Sequence, residues 1–204
     1  MIYQLYAVTA PAADLAEQVK RAIAGGITML QIREKNCTTK RRIELAYPIL
    51  QLCRDAGIPC IIDDDAEAAK ILGADGVHVG QDDAACADAR AKLGPDVIVG
   101  VSVQTVAQAL AAQADGADYL GVGAVFGTPT KPDAADVGAD GLAAICAAVD
   151  IPVVAIGGVN AATMPRLSEL NVDGAAVVSA IFAADDIEAA TCELSRIIDE
   201  TLGI

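Results

Sequence analysis

Aromatic side chains are scarce in this sequence: they make up 3% of the 204 residues, and tryptophan is absent. Long apolar runs are absent too, since stretches such as 97–101 and 153–156 are far too short to cross a bilayer. The N-terminus shows no basic segment followed by a long apolar run, as a signal peptide would. We therefore expect a soluble cytoplasmic protein with no membrane partner.

Closely spaced cysteine pairs are also missing, although the chain has six cysteines. Zinc sites and redox dithiols require such pairs. A chain of this size can bury a core large enough to fold without disulfides. We therefore predict free thiols at Cys37, Cys53, Cys60, Cys86, Cys146 and Cys192.

Basic residues are half as frequent as acidic ones, 14 against 28, and the formal charge is −14. This field repels polyanions, which argues against nucleic acid as a partner. A small substrate that carries phosphate would need a local group of cations, or a metal ion, to bind against the field. That requirement directs attention to the few places where lysine and arginine cluster.

Short β-rich runs alternate with alanine-rich helical patterns along the whole chain, and repeated βα units indicate a parallel sheet. We predict helices at 14–24, 39–56, 105–114 and 161–170. Eight strands favour a closed, single-domain (β/α)8 TIM barrel of the α/β class over residues 1–204, although an open doubly wound sheet is the alternative. The predicted strands are 3–8, 29–33, 60–63, 76–79, 97–101, 119–123, 153–156 and 175–178.

Three similar segments strengthen this count. Residues 73–76, 116–119 and 172–175 each contain an aspartate just before a predicted strand, at Asp75, Asp118 and Asp173. Each segment is typical of a helix end that turns into a strand. The repetition supports a chain built from one βα unit used many times.

Polar residues gather directly after the predicted strands. In a barrel, the carboxyl ends of the strands meet at one face, and the active site lies there. We therefore expect the polar loops to converge on one mouth. The contributing positions are 31–35, 63–65, 80–83, 102, 128–131, 157–158 and 179.

Arg33 and Lys35 alternate with Glu34 after the second run. In an extended segment both cations point the same way, so they can grip a diphosphate, with Lys131 approaching from across the mouth. Salt bridges to neighbouring acids are the alternative. A positive cluster of this kind is what a phosphate-bearing substrate would need here.

Asp64 and Asp83 follow neighbouring predicted strands, the third and the fourth. Two converging carboxylates suit one hard cation, with water and substrate oxygens as further ligands, so we predict a magnesium site. Solvated acidic loops are the alternative, and we favour that interpretation for Asp63, Asp65 and Asp82 taken singly.

Glycine and serine follow the seventh and eighth runs, the positions of a common barrel phosphate site. There Gly158 lets the backbone approach a phosphate, and the peptide between Val178 and Ser179 supplies N–H groups. A turn that needs positive φ at Gly157 or Gly158 is the alternative. Together with Ser179, phosphate binding is the better interpretation.

Two other polar features are assigned to structure. Lys40, Arg41 and Arg42 lie early in a predicted helix, where the helix dipole disfavours cations, so we expect them at the surface. His78, the one histidine, lies within the fourth strand with no partner visible in the sequence. We favour a packing or supporting role for it over catalysis.

Five motifs appear in order along the chain, and together they resemble the thiamine-phosphate synthase family. The resemblance implies a (β/α)8 barrel enzyme that joins a pyrimidine diphosphate to a thiazole phosphate with one Mg²⁺ per active site. Any single motif would be weak, whereas five at compatible spacing are specific. They are QIREK at 31–35, GVHVGQDD at 76–83, GVG at 121–123, TPTK at 128–131 and AIGG at 155–158.

The resemblance also implies residue roles. Asp64 and Asp83 are expected to bind magnesium, and the catalytic residues are expected to be Arg33, Lys35, Ser102 and Lys131. The pyrimidine diphosphate is expected at the loop 31–35, at position 63, at Ser102 and at Lys131, and the thiazole phosphate at the remaining positions. In full, the expected substrate-binding residues are Gln31, Ile32, Arg33, Glu34, Lys35, Asp63, Ser102, Thr128, Pro129, Thr130, Lys131, Gly158, Val178 and Ser179.

Two positions depart from the family pattern. The family usually has asparagine where this chain has Asp63, and often histidine where it has Gln104. A carboxylate at 63 cannot donate an amide hydrogen bond; it can accept one from the aminopyrimidine or join the metal site. Gln104 keeps the polarity of the position but loses acid and base capacity.

The implied reaction begins with departure of pyrophosphate from the pyrimidine's methylene carbon, and the thiazole nitrogen then attacks the resulting cation. A related thiazole tautomerase on the same barrel and a phosphate sensor without catalysis are the alternatives. The sequence leaves open the oligomeric state, with a homo-oligomer possible, and whether the thiazole arrives carboxylated. The segment 127–138 is long for a βα connection, and we expect it to close over the substrates.

Overall fold

The computed structural model describes residues 2–81, 86–127 and 137–203. Eight parallel strands pair in chain order and close into a barrel, with the last strand beside the first. The predicted (β/α)8 fold is therefore confirmed, and the open sheet is excluded. The strands are β1 (Leu5–Val8), β2 (Met29–Ile32), β3 (Cys60–Asp63), β4 (Gly76–Val79), β5 (Ile98–Val103), β6 (Tyr119–Val122), β7 (Val153–Ile156) and β8 (Gly174–Val177).

Helices fill all the connections except one, between β7 and β8, where a single 3-10 turn stands at Met164–Leu167. The sequence predicted a helix over 161–170. Pro165 has no N–H to donate, and Thr163 and Asn160 bond their own loop, so a longer helix does not form. The helices are α1 (Leu15–Ala24), α2 (Thr39–Ala56), α3 (Ala66–Leu72), α4 (Cys86–Leu93), α5 (Val106–Ala114), α6 (Gly138–Cys146), α7 (Ser179–Phe182) and α8 (Ile187–Leu202).

The three repeated aspartates have one shared structural role. Asp75, Asp118 and Asp173 each accept a hydrogen bond from the backbone N–H at or next to the start of the preceding strand, at Cys60, Val99 and Val153, with N to O distances of 2.9, 2.7 and 2.8 Å. These N–H groups lie at the end of the barrel opposite the active-site mouth. The aspartates therefore fix strand register at that end, which explains the repetition seen in the sequence.

The core has two layers, because side chains alternate between the two faces of each strand. Residues such as Leu30 and Ile62 point outward and pack against the helices. The inward layer fills the barrel, and polar Gln31, Asp63 and His78 share its parity at the carboxyl ends of their strands. Its apolar members are Tyr6, Val8, Met29, Ile61, Tyr119, Val154 and Ala176.

All six cysteines are free, as predicted. Four of them lie in helices and one in β3, and none is bonded to another. Over the three described ranges, no helix is both long enough and apolar enough to cross a bilayer.

Candidate active site

Two cations and two carboxylates meet at the mouth of the barrel, on the loops after β2 and β3. The Nζ of Lys35 lies 3.2 Å from Oδ2 of Asp63 and contacts Asp64. The Nε of Arg33 lies 3.9 Å from the same oxygen of Asp63. We call these four residues the rim cluster. The structure thus brings together Arg33, Lys35, Asp63 and Asp64, as the βα-loop argument expected.

Within the rim cluster, both cations are paired with carboxylates, which was the alternative considered from the sequence. Burial alone would lower the pKa of Lys35, but the hydrogen bond that Lys35 donates to Asp64 and the charge of Asp63 outweigh it and raise that pKa. Lys35 therefore stays charged at neutral pH. The side chains of Arg33 and Lys35 remain 29% and 42% exposed, so both stay accessible from the mouth.

Asp64 has a backbone conformation that is unusual for a residue with a side chain, with φ of 62°. Its N–H donates to the carbonyl of His78 at 2.8 Å, which ties the end of β3 to β4. Strained conformations of this kind are found at functional sites more often than elsewhere. The bond holds the Asp64 carboxylate at the rim, beside Lys35.

Arg42 is a correction to the sequence analysis, which placed it at the surface with Lys40 and Arg41. Its side chain is buried: Nη2 donates to the carbonyl of Glu34 at 2.7 Å, and Nη1 contacts Asp65. Within the first turn of α2, Arg42 lies on the side that packs against the two neighbouring loops, whereas Lys40 and Arg41 are exposed, as predicted. Arg42 thus joins the loop that carries Arg33 and Lys35 to the loop that carries Asp64.

Asp65 completes this junction as the N-cap of α3, where its carboxylate accepts from the N–H of Ala68 at 2.8 Å. Burial alone would raise the pKa of Asp65, but the hydrogen bonds from Ala68, Thr39 and Arg42 lower it below the ordinary value of 3.8. Asp65 is therefore a structural carboxylate. The sequence analysis favoured a solvated side chain at this position, and that interpretation is wrong for Asp65.

Two other residues of the 31–35 motif have different surroundings. Ile32 is fully buried among the outward-facing residues of the sheet, so its side chain packs against helices instead of facing the mouth. Glu34 offers its carbonyl to Arg42 and to the Sγ of Cys37. Gln31, Arg33 and Lys35 of this motif direct their side chains toward the barrel interior or its rim.

Below the rim cluster, five side chains form a continuous line of hydrogen bonds across the barrel. The Nε2 of Gln31 donates to the Tyr6 hydroxyl at 2.8 Å, which lies 2.8 Å from the Tyr119 hydroxyl. That hydroxyl lies 2.9 Å from Nδ1 of His78, whose Nε2 lies 2.8 Å from the Ser102 Oγ. We call this line the interior chain. Within it, His78 has two hydrogen-bond partners, Tyr119 and Ser102, that the sequence did not reveal.

Glycines on β5 and β6 make room for the rings of the interior chain. A side chain at Gly100 would overlap the Tyr119 ring, and one at Gly121 would press on the His78 imidazole. Sequence reasoning missed Tyr6 and Tyr119 as site residues. The signal available for them was their inward parity on short strands and, for Tyr119, the glycine opposite it at Gly100.

The loops after β7 and β8 lie side by side, because these strands pair. Gly157 and Gly158 both have positive φ, 95° and 68°, so the turn proposed as the alternative is present. Gly158 also lies so close to Phe126 that any side chain would overlap its carbonyl. Asn160 and Thr163 donate to the Gly158 carbonyl at 3.1 and 2.8 Å, which fixes the loop.

Ser179 begins the short helix α7 directly after β8, and Val178 is its N-cap residue. Ser179 is exposed and Val178 half-buried. Both therefore lie at the same face as Gly158 and the rim cluster, where the sequence analysis expected them.

Several predicted residues lie outside the described ranges. They include the second predicted metal ligand, most of the loop expected to close over the substrates, and the third expected cation. Within residues 2–81, 86–127 and 137–203, no group of three or more histidine, cysteine, aspartate or glutamate residues is arranged to hold a metal ion. The residues outside are Asp82, Asp83, Thr128, Pro129, Thr130 and Lys131.

Known proteins resemble this chain over most of its length. Residues 5–181 match the model of the family described as thiamine monophosphate synthase. The thiamine-phosphate synthase of Chloroflexus aurantiacus is 48% identical over 184 residues, which are 90% of this chain and 85% of that protein. The thiamine-phosphate synthase of Clostridium tetani is 43% identical, over 92% of this chain and 90% of that protein.

A solved structure agrees with these relatives. Thiamine phosphate pyrophosphorylase from Pyrococcus furiosus superposes with a TM-score of 0.92 at 39% identity, and the match covers 99% of this chain and 98% of that one. The resemblance seen in the five motifs is thus confirmed over almost the whole chain. The chain belongs to the thiamine monophosphate synthase family.

Proposed function

We propose that this chain is a transferase that condenses hydroxymethylpyrimidine diphosphate with a thiazole phosphate, or with its carboxylated form, to give thiamine phosphate and pyrophosphate. The family match supports this activity. The structural observation that carries it is the rim cluster, in which Arg33 and Lys35 reach the mouth of the barrel beside Asp63 and Asp64. An acidic chain, with a formal charge of −14, needs cations such as these two to hold a diphosphate.

In the first step, the bond between the pyrimidine's methylene carbon and the diphosphate oxygen breaks, and its electron pair leaves with the diphosphate. Arg33 and Lys35 are proposed to stabilise the negative charge that grows on the leaving group, with Lys131 as the third cation. Groups that are preorganised for developing charge often supply the largest part of catalysis. The exocyclic amine of the pyrimidine donates electron density to the carbocation left behind.

In the second step, the lone pair of the thiazole nitrogen forms the new carbon–nitrogen bond with that carbocation. No nucleophile from the protein is needed. The main demand on the chain is to hold the thiazole in line for attack, because a fixed geometry removes much of the entropic cost of meeting. Gly158, Val178 and Ser179, together with Thr128, Pro129 and Thr130, are proposed to hold the thiazole phosphate.

The metal site is proposed at Asp64 and Asp83, with one Mg²⁺ per active site. Carboxylate oxygens are the ligands this hard cation prefers, and Asp64 is fixed at the rim by its N–H bond to β4. The donor chemistry of Asp64 therefore fits the ion. When bound, Mg²⁺ would neutralise part of the negative charge on the diphosphate.

The activity is tested by measuring pyrophosphate release from both substrates together and from each alone, with Mg²⁺ present. We expect release only when both are supplied. The tautomerase alternative predicts conversion of a carboxylated, non-aromatic thiazole phosphate without any pyrimidine. The phosphate sensor alternative predicts binding of either substrate with no turnover, so the three possibilities give different results.

Small molecules are the partners that this activity requires, and we propose no role for nucleic acid, since the chain carries a formal charge of −14. We also propose a cytoplasmic location. It suits an enzyme with free thiols, because that compartment keeps thiols reduced.

A further inference from the structure

The interior chain crosses the barrel through side chains from five different strands. Its members are Gln31 on β2, Tyr6 on β1, Tyr119 on β6, His78 on β4 and Ser102 on β5, and its four links are 2.8, 2.8, 2.9 and 2.8 Å long. Gln31, Tyr6, Tyr119 and His78 are all buried, whereas Ser102 is half-buried at the open end. Each buried link therefore depends on its neighbours for a donor and an acceptor.

The direction of the interior chain follows from its first link. The amide nitrogen of Gln31 can only donate, so the Tyr6 hydroxyl accepts there and uses its one proton on Tyr119. Tyr119 accepts that bond and donates its own proton to Nδ1 of His78. Nδ1 must then carry no proton.

The donor and the acceptor at the His78–Ser102 link follow from the position of the imidazole proton. A neutral imidazole without a proton on Nδ1 carries it on Nε2, so His78 donates to the Ser102 Oγ. The serine oxygen accepts this bond, and its own proton remains available for a bond to something else. An imidazolium would reverse the Tyr119 link and leave the Tyr119 proton with no acceptor among the members of the interior chain.

Both tyrosines keep the protons this scheme requires. Burial raises the pKa of Tyr6 and the pKa of Tyr119 well above the ordinary value of 10.0. Each hydroxyl therefore has one proton to donate at neutral pH, and the direction set at Gln31 is passed along without change.

We infer that the interior chain is a one-way hydrogen-bond relay that fixes His78 as its Nε2–H tautomer and makes the Ser102 hydroxyl a donor to the substrate. The relay deepens the proposed function and rests on it for the identity of the substrate. A hydroxyl donor at this position selects a ring with a hydrogen-bond acceptor, such as an unprotonated pyrimidine nitrogen, and disfavours a ring that presents only N–H groups there. Tyr6, Tyr119 and His78 are positioning residues that act through Ser102.

The tautomer is directly measurable, because His78 is the one histidine in the sequence. In the full chain labelled with ¹⁵N-histidine and without substrate, a single imidazole gives the nitrogen spectrum at neutral pH. The relay predicts one protonated nitrogen, Nε2, and one unprotonated nitrogen, Nδ1. An Nδ1–H tautomer, a mixture of tautomers or an imidazolium at neutral pH would overturn it.

A matched pair of variants tests whether the direction is set at the far end. Tyr6→Phe removes the donor to Tyr119 while touching neither His78 nor Ser102, and we expect an Nδ1–H form of His78 to appear. Tyr3→Phe is the control, because Tyr3 stacks on Tyr119 at 5.0 Å but takes no part in the interior chain. An unchanged tautomer in Tyr6→Phe, or the same change in both variants, would contradict the relay.

Kinetics then tests the action through Ser102. We expect Ser102→Ala to raise KM for the pyrimidine diphosphate about five- to tenfold, as loss of one hydrogen bond does. Tyr6→Phe is expected to raise KM in the parent enzyme and to have no further effect in the Ser102→Ala background. Additive effects would overturn the coupling. The nitrogen spectrum is recorded without substrate and therefore tests the relay independently of activity. If the proposed function is wrong, turnover is absent while His78 still shows the Nε2–H tautomer.

Discussion

The Arg42 guanidinium donates a hydrogen bond of 2.7 Å to the main-chain carbonyl of Glu34, and it also contacts Asp65. One buried side chain thereby fixes two loops of the rim cluster relative to each other. Arg33 and Lys35 lie on either side of Glu34, and Asp64 lies next to Asp65. The geometry of the proposed diphosphate site thus depends on a residue outside it.

Replacing Arg42 with methionine should therefore reduce both stability and activity. Breaking a buried ion pair on one side costs about 3 kcal/mol or more, because the remaining charge loses its partner. We also expect KM for the pyrimidine diphosphate to rise about tenfold, because Arg33 and Lys35 would no longer be held in position and a small displacement weakens their contacts steeply. Denaturant unfolding and steady-state kinetics measure the two effects.

Arg41→Met is the matched control, because Arg41 is exposed on the same turn of α2 and pairs with the exposed Glu44, at 3.5 Å. Surface pairs of this kind contribute about 0–1 kcal/mol. Equal losses in the two variants would show that Arg42 does not have the role we assign to it.

Asp65 gives a prediction for acid stability. The pKa of Asp65 is lower in the folded protein than the ordinary value of 3.8. The ionised carboxylate therefore stabilises the fold above pH 3.8, and this stabilisation is lost as the pH falls through the folded-state pKa. Asp65→Asn keeps an N-cap for α3 but has no charge to titrate. We expect the unfolding free energy of the variant to fall less between pH 6 and pH 3 than that of the parent, as measured by urea titration at both. Parallel losses would contradict the assignment.

Asp83→Ala tests the proposed magnesium site. We expect turnover to fall by roughly two orders of magnitude or more, because a metal that stabilises the leaving group contributes several kcal/mol. A loop carboxylate adds little to stability, so the melting temperature should stay close to that of the parent. Activity measured across a magnesium titration is the decisive readout. Near-normal, magnesium-dependent turnover would remove Asp83 from the site.

Gly158→Ala tests the close approach at the proposed thiazole phosphate site. The new side chain would overlap the Phe126 carbonyl, so the loop must move and KM for the thiazole phosphate should rise. Gly57→Ala is a matched control with nearly the same φ, 69° against 68°, and no atom within 4 Å of the added carbon. Positive φ alone costs about 1–2 kcal/mol. If both variants lose a similar amount of stability and KM is unchanged, backbone strain alone explains the effect of Gly158→Ala, and the proposed phosphate site is contradicted.

Much of the fold and part of the site could be predicted from the sequence. The eight strands follow from short β-rich runs between alanine-rich segments, and the rim cluster follows from the position of charged residues directly after strands; both are local features. Asp75, Asp118 and Asp173 were visible as a repeat, although their bonds to the preceding strands were not. Such features need no knowledge of distant contacts.

Other parts could not be predicted, because they depend on which residues meet in space. Arg42 belongs to a surface-like basic run, and only the packing of α2 against two loops shows that it is buried. His78 had no visible partner, since Tyr119 and Ser102 are 41 and 24 residues away. The interior chain arises from strand register and from the space that Gly100 and Gly121 leave open.

We propose that one site forms thiamine phosphate while it releases pyrophosphate. Chromatographic measurement of both products in a single reaction, with both substrates and Mg²⁺, tests it most directly. We expect the two products to appear in equal amounts and at the same rate. Release of pyrophosphate without thiamine phosphate, or the absence of both products, would contradict it.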